Sequence, residues 1–164
     1  MSPRLLLSAL ALVCVGAVAT AVALQYTYGM QPCPWCILQR VIYLAIALAA
    51  LLGLLWRTRV GTLASAGLIA MLACAGMAAA LWQHFVAASS ASCDLTLAER
   101  IVSALRVDER WPEVFTAYAS CKDAAVKLLG VAFELWSLAL FAGVLLVAIR
   151  VLRGDRRRRW RRYN

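Results

Sequence analysis

Four apolar stretches leave this chain few ways to fold. Residues 5–24, 62–82 and 128–151 each exceed the roughly 18 apolar residues that mark a membrane-spanning helix. A fourth, 37–56, is interrupted only by Gln39 and Arg40 near its start. Inside a bilayer no water is at hand for backbone N–H and C=O groups, so such segments must close their hydrogen bonds internally, as helices. The expected fold class is therefore an all-α integral membrane protein, a four-helix bundle of spans at about 5–24, 37–56, 62–83 and 128–151. One short outer loop (25–36) and one long outer loop (84–127) connect them, and a basic tail (154–164), expected to be disordered, follows a membrane domain of residues 1–153. Composition agrees: 64% of the 164 residues are hydrophobic, against about half in soluble domains. The third stretch is rich in Ala and Gly (Ala64, Ala66, Gly67, Ala70, Ala73, Gly76, Ala80). Small residues let helices approach closely in lipid.

Charge orients the bundle. Four spans put both termini on one side. That side, with the loop between the second and third spans, holds Arg4, Arg57, Arg59 and eight tail arginines, eleven of the 17 basic residues. The opposite side carries the other six beside seven of the eight acids. Cationic loops stay in the cytoplasm, so both termini are expected there. The net charge of +9 is thus a topology signal, and a juxtamembrane Arg cluster sits on anionic headgroups; nucleic-acid binding is not expected. The start of the chain resembles a secretory signal, with Ala21-Val22-Ala23 as a conceivable cleavage site. Its apolar run is longer than a signal core, and it is read as a retained helix.

The chemistry lies at Met30-Gln31-Pro32-Cys33-Pro34-Trp35-Cys36-Ile37-Leu38-Gln39-Arg40. Pro34 suits the first turn of a helix, so this Cys-x-x-Cys pair opens the second span. The positive end of a helix stabilises a thiolate there, above all at Cys36. Arg40 stands one turn further on the same face. A zinc site would need a second close pair or His ligands, and no metal is expected. A two-residue spacer also makes a strained, reducible bridge, poorly suited to a structural staple. The pair reads as redox-active. Cys93 and Cys121 fall in the long outer loop on the same non-cytoplasmic side, where disulfides persist; Cys14 and Cys74 lie within spans and read as small buried hydrophobes.

Three further features complete the reading. His84, the only histidine, ends the third span on the cysteine side, where it is either an interfacial residue or a proton donor. Residues 97–107 place Leu97, Ile101, Val102 and Leu105 at helical spacing beside Glu99, Arg100 and Arg106. This is an amphipathic pattern suited to the membrane surface. Glu134 lies about a turn inside the fourth span. An ionisable residue there is a functional candidate, though so close to the interface it is expected to reach out to water. No internal repeat and no phosphate-binding loop is present.

Taken together, the segment Pro32-Cys33-Pro34-Trp35-Cys36-Ile37-Leu38-Gln39-Arg40, the histidine ending the third span and the second cysteine pair resemble the bacterial disulfide bond formation protein B (DsbB) family. The resemblance runs from the first span through the fourth. It implies an inner-membrane dithiol:quinone oxidoreductase that reoxidises a periplasmic thioredoxin-fold oxidant of the DsbA type, with the active cysteines periplasmic. Cys33 and Cys36 would be the quinone-proximal pair, with Cys36 nearest the quinone. Arg40 and His84 would lie beside it. Cys93 and Cys121 would be the loop pair, with Cys93 attacked by the partner and able to bridge onward to Cys33. Ubiquinone is the expected acceptor, with menaquinone as the alternative. The family often carries a proline shortly before the tryptophan of the fourth span; Ala132-Phe133-Glu134-Leu135-Trp136 has none, and the resemblance gives Glu134 no role. Three rivals fit less well. A metal-thiolate transporter would need more than Cys14 and Cys74 within the spans. An inert structural membrane protein leaves the reducible pair beside Arg40 unexplained. A vitamin K epoxide reductase type of enzyme opens a later helix with its Cys-x-x-Cys.

Overall fold

In the computed structural model, residues 2–56, 58–87, 97–120, 127–128 and 130–163 are described, the backbone alone for 127–128 and 155–163. Four long helices are apolar enough to cross a membrane: α1 (Pro3–Tyr28), α2 (Pro34–Leu55), α3 (Arg59–Trp82) and α7 (Phe133–Tyr163). The chain is a multi-pass membrane protein. Local chemistry sets each boundary. Ser2 caps α1 by accepting from the Leu5 N–H, and Gly29, at φ +65°, ends it in the left-handed conformation open to glycine. Thr58 caps α3 through the Gly61 N–H. A π-helical turn (Gln83–Ala87) extends α3.

Two boundaries differ from the sequence expectation. The fourth span starts at Phe133 rather than 128, because residues before it form a two-residue antiparallel pair, β1 (Lys127–Leu128) with β2 (Val131–Ala132). Gly130 turns between them at φ +81°. At the other end the basic tail, expected to be disordered, continues α7 as far as Tyr163. Arginine is a good helix former, and extending an existing helix needs no new nucleus. At 1.5 Å per residue the 31-residue helix is about 46 Å long, well beyond the roughly 30 Å of hydrocarbon.

Packing follows chain order: α1 lies on α2, α2 on α3 and α3 on α7, whereas α1 and α7 meet only lightly. Leu7, Cys14, Ile46, Ile69, Phe141 and Val144 form the buried centre. The stacked rings of Tyr43 and Phe141, 4.1 Å between centroids and 2° from parallel, join α2 to α7. Tyr43 Oη is also hydrogen-bonded to Ser137 Oγ at 2.8 Å. Small residues permit these approaches, as expected. A Cβ on Gly53 would stand 2.6 Å from Ser65 Oγ, and one on Gly76 would overlap the Phe141 ring. Cys14 is buried as anticipated, but Cys74 is exposed on the outer surface of α3, because the buried stripe of that helix runs through Ile69, Ala73, Gly76 and Ala80.

The long outer loop contributes α4 (Leu97–Ala104), α5 (Val107–Arg110) and α6 (Pro112–Phe115). The amphipathic stretch thus breaks at Arg106, a non-glycine residue at φ 52°. Contrary to a purely surface-lying helix, α4 packs on α2 and buries Ala98 and Val102, while Leu97, Ile101 and Leu105 stay exposed.

Gly76→Ala is expected to destabilise the bundle by about 1–3 kcal/mol through overpacking. Gly67, whose Cβ would meet nothing within 4 Å, is the control. Thermal unfolding in detergent should separate the two; equal midpoints would show that α3 and α7 can part at no cost.

Candidate functional site

Cys33 is the N-cap of α2, in extended conformation, and Pro34 is the first helical residue. This is the arrangement the spacing predicted. The Cys33 sulfur accepts from the Cys36 N–H at 3.4 Å, and the two sulfurs stand 3.0 Å apart. Cys33 is fully buried and Cys36 half-buried. A further donor reaches Cys36: Gln83 Nε2 lies 3.3 Å from its sulfur. Gln39 fixes the orientation of that amide by donating from Nε2 to Gln83 Oε1 at 2.7 Å. With its oxygen occupied by Gln39, the Gln83 amide presents its NH₂ to sulfur. Trp35 closes the loop side, its ring 6.3 Å from that of Trp82.

Arg40 lies one turn below, only 6% exposed. Its Nη1 donates to Gln25 Oε1 at 3.0 Å and to the Val114 carbonyl at 2.6 Å. Both partners are neutral, and among the described residues no carboxylate forms an ion pair with it. A buried guanidinium held by neutral dipoles keeps its full charge available to whatever lies beside it. The same bonds tie the outer loop to the bundle. Gln25 Nε2 and Tyr26 Oη both donate to the Glu113 carbonyl, at 3.4 and 3.3 Å. The Tyr118 and Ala119 N–H groups donate to the Pro32 carbonyl.

Cys36, Gln39, Arg40 and Gln83 face a cavity of about 290 Å³ between α1, α2 and α7. That is at the small end of the roughly 300–1,000 Å³ typical of ligand pockets. Apolar side chains, among them Val18, Leu24, Trp136 and Leu140, form most of its wall. The cavity occupies the seam left where α1 and α7 barely meet. The polar groups in this otherwise apolar wall include the Arg40 guanidinium, the Gln39 and Gln83 amides and the Cys36 sulfur.

Two sequence expectations are redirected. His84 sits in the π-helical turn and does not line the cavity. Its Nδ1 lies 2.9 Å from Glu134 Oε1 instead. Glu134 does line the cavity. It does not reach out to water; it is 5% exposed, because His84 offers a partner inside. Its second oxygen, Oε2, is buried with no hydrogen-bond partner, a condition that costs about 1–3 kcal/mol. Gln25 and Gln83 were missed as site residues; Gln83 ends the third span, where an amide needs a partner, whereas Gln25 falls in the expected outer loop and joins the site because α1 continues to Tyr28. Cys93 and Cys121 lie outside the described residues.

Comparison with known proteins agrees with this geometry. The family model described as disulfide bond formation protein DsbB matches residues 3–151. A disulfide bond formation protein B of Aromatoleum aromaticum is 34% identical over 155 residues, covering 92% of this chain and 93% of that protein. One from Dechloromonas aromatica is 34% identical over 153 residues (85% and 86%). One from Nitrosomonas europaea is 30% identical over 148 (88% and 90%). With the match extending across all four spans and the Cys-x-x-Cys helix start, the chain belongs to the DsbB family of disulfide bond formation proteins.

Proposed function

We propose that this chain is an inner-membrane dithiol:quinone oxidoreductase that supports periplasmic disulfide formation by reoxidising a thioredoxin-fold oxidant of the DsbA type. The observation that carries this reading is the position of Cys36. Its sulfur lies in the wall of an apolar, membrane-level cavity, beside a buried Arg40 and the Gln83 amide.

The chain's own groups divide the work. A partner thiolate attacks Cys93, Cys121 leaves as thiolate, and a second exchange releases the oxidised partner. The electrons pass to Cys33 and Cys36 by the same exchange chemistry, through a Cys33–Cys93 bridge. Closing the Cys33–Cys36 disulfide then releases two electrons and two protons. A quinone, when bound, supplies the two-electron, two-proton acceptor; ubiquinone is the first choice and menaquinone the second. Gln83 holds the Cys36 sulfur by a hydrogen bond while Gln39 keeps its amide from turning. Arg40 offers positive charge where negative charge develops, the usual role of a fixed cation in a dry site. Orientation follows the charge asymmetry: both termini cytoplasmic, the cysteines periplasmic.

The decisive assay is anaerobic. Purified protein, reduced partner and ubiquinone should give one quinol per partner disulfide, followed by absorbance. Quinone left unchanged, with menaquinone unchanged as well, would overturn the reading. Cys33→Ser or Cys36→Ser should abolish this coupled turnover, and retained turnover in either variant would remove that residue from the electron route. Arg40→Ala should slow quinone reduction by roughly 10²-fold, the effect of losing one electrostatic stabiliser, with a smaller loss in thiol exchange. Arg40→Lys, which keeps the charge but loses the fork, should fall between. Equal losses in both half-reactions would reduce Arg40 to an anchor for the Val114 carbonyl.

A further inference from the structure

Closing one dithiol and forming one quinol balance in protons as well as electrons, yet the protons need a path. Sulfur gives up two near the α2 N-terminus, and the acceptor takes up two in the cavity. Among the described residues lining that cavity, Cys36, Arg40, Tyr43 and Glu134 are the ionisable ones. Cys36 is the electron donor. Arg40 stays protonated in proteins. Tyr43 Oη is committed to Ser137. That leaves Glu134.

We propose that Glu134 is the proton donor to the acceptor bound in this cavity, and that His84 recharges it from the outer side of the membrane. The inference rests on the cavity being the acceptor site. Three observations place Glu134 in this role. It lines the cavity while only 5% exposed. Its Oε2 is buried and makes no hydrogen bond, so one carboxyl oxygen has its hydrogen-bonding capacity unspent. Its Oε1 lies 2.9 Å from His84 Nδ1, and the His84 side chain is 33% exposed, so the pair spans from the dry cavity to the surface. A buried carboxyl in a span is costly, and its pairing with a half-exposed imidazole gives it a way to exchange protons without leaving its place.

The step is simple to balance. The Glu134 Oε2–H bond breaks as an O–H bond forms on the acceptor's reduced oxygen. The carboxylate then takes a proton from His84 Nδ1–H, and the imidazole regains one from water at the outer surface. Two such transfers accompany the two electrons from Cys33 and Cys36. The two protons released by those thiols leave to the same outer side, so the overall exchange is neutral across the membrane. The handover uses the turn that breaks the regular helix. Gln83 and His84 are consecutive in the π-helical segment, yet one serves the sulfur and the other the carboxyl.

The test uses the full chain in detergent with a short-chain ubiquinone, poised electrochemically, and reads infrared difference spectra between oxidised and reduced states. The natural chain should show a carboxyl C=O band that is sensitive to deuterium and absent in Glu134→Gln. In stopped-flow, Glu134→Gln should slow quinone reduction by roughly 10²-fold, the scale of a lost general acid, while thiol exchange with the partner is retained. Glu134→Asp should recover part of both signals. An unchanged carboxyl band, or quinone reduction at the natural rate in Glu134→Gln, overturns the proposal. If Glu134→Gln also loses thiol exchange, Glu134→Asp decides: recovery of band and reduction supports the carboxyl's role, and recovery of exchange alone overturns it. If the natural chain reduces no quinone, the proposed function falls and this inference falls with it. If the natural chain reduces quinone and only the Glu134 signals fail, the function stands alone.

Discussion

A single buried guanidinium holds the outer end of this bundle together. Arg40 takes a side-chain oxygen from α1 and a backbone carbonyl from the long loop onto one nitrogen. Removing it would leave the Gln25 amide oxygen and the Val114 carbonyl in an apolar setting, each without a strong donor. The loop would then rest on the Pro32 and Glu113 carbonyls and on the burial of Phe115, Ala98 and Val102. A neutral side chain would also leave the cavity, among the described residues, without a fixed positive charge. Structural and chemical roles therefore share one group, which is why a partial replacement by lysine is more informative than deletion.

Around Arg40 the bundle carries a thin polar layer in an otherwise apolar interior. Gln25, Gln39 and Gln83 come from three helices, and all are buried. Both ends of the Gln25 and Gln83 amides are used directionally, and Gln39 uses its NH₂. Gln39 spends its NH₂ on Gln83, which frees the NH₂ of Gln83 for sulfur. Gln25 accepts from Arg40 and donates to Glu113. Such networks are worth keeping only when fully satisfied. The one fully buried exception among the described side chains is Glu134 Oε2, on a residue that lines the cavity.

The spans were legible because length and hydropathy decide them, and the Cys-x-x-Cys helix start because Pro34 and the N-cap rule decide it. Arg40 was legible from its spacing to Cys36. His84 and Glu134 were each noticed, but their pairing was not: they are 50 residues apart in sequence, and nothing local says that α3 and α7 are neighbours at that height. Nor does any pattern announce a π-helical turn, which re-phases Gln83 and His84. The expected disorder of the tail failed for a different reason. A segment that has no apolar face of its own can still be helical when a long helix already in progress extends through its arginines.

The loose contact between α1 and α7 sets how a ligand reaches the cavity. A seam between two spanning helices opens sideways, into hydrocarbon. Any occupant drawn from the bilayer arrives by lateral diffusion in two dimensions, and what governs its supply is its mole fraction among the lipids. Its aqueous concentration scarcely enters. Occupancy of this site would therefore respond to membrane composition and to dilution by detergent. A preparation that is saturated in the cell's membrane could be starved in a large micelle at the same total amount of ligand.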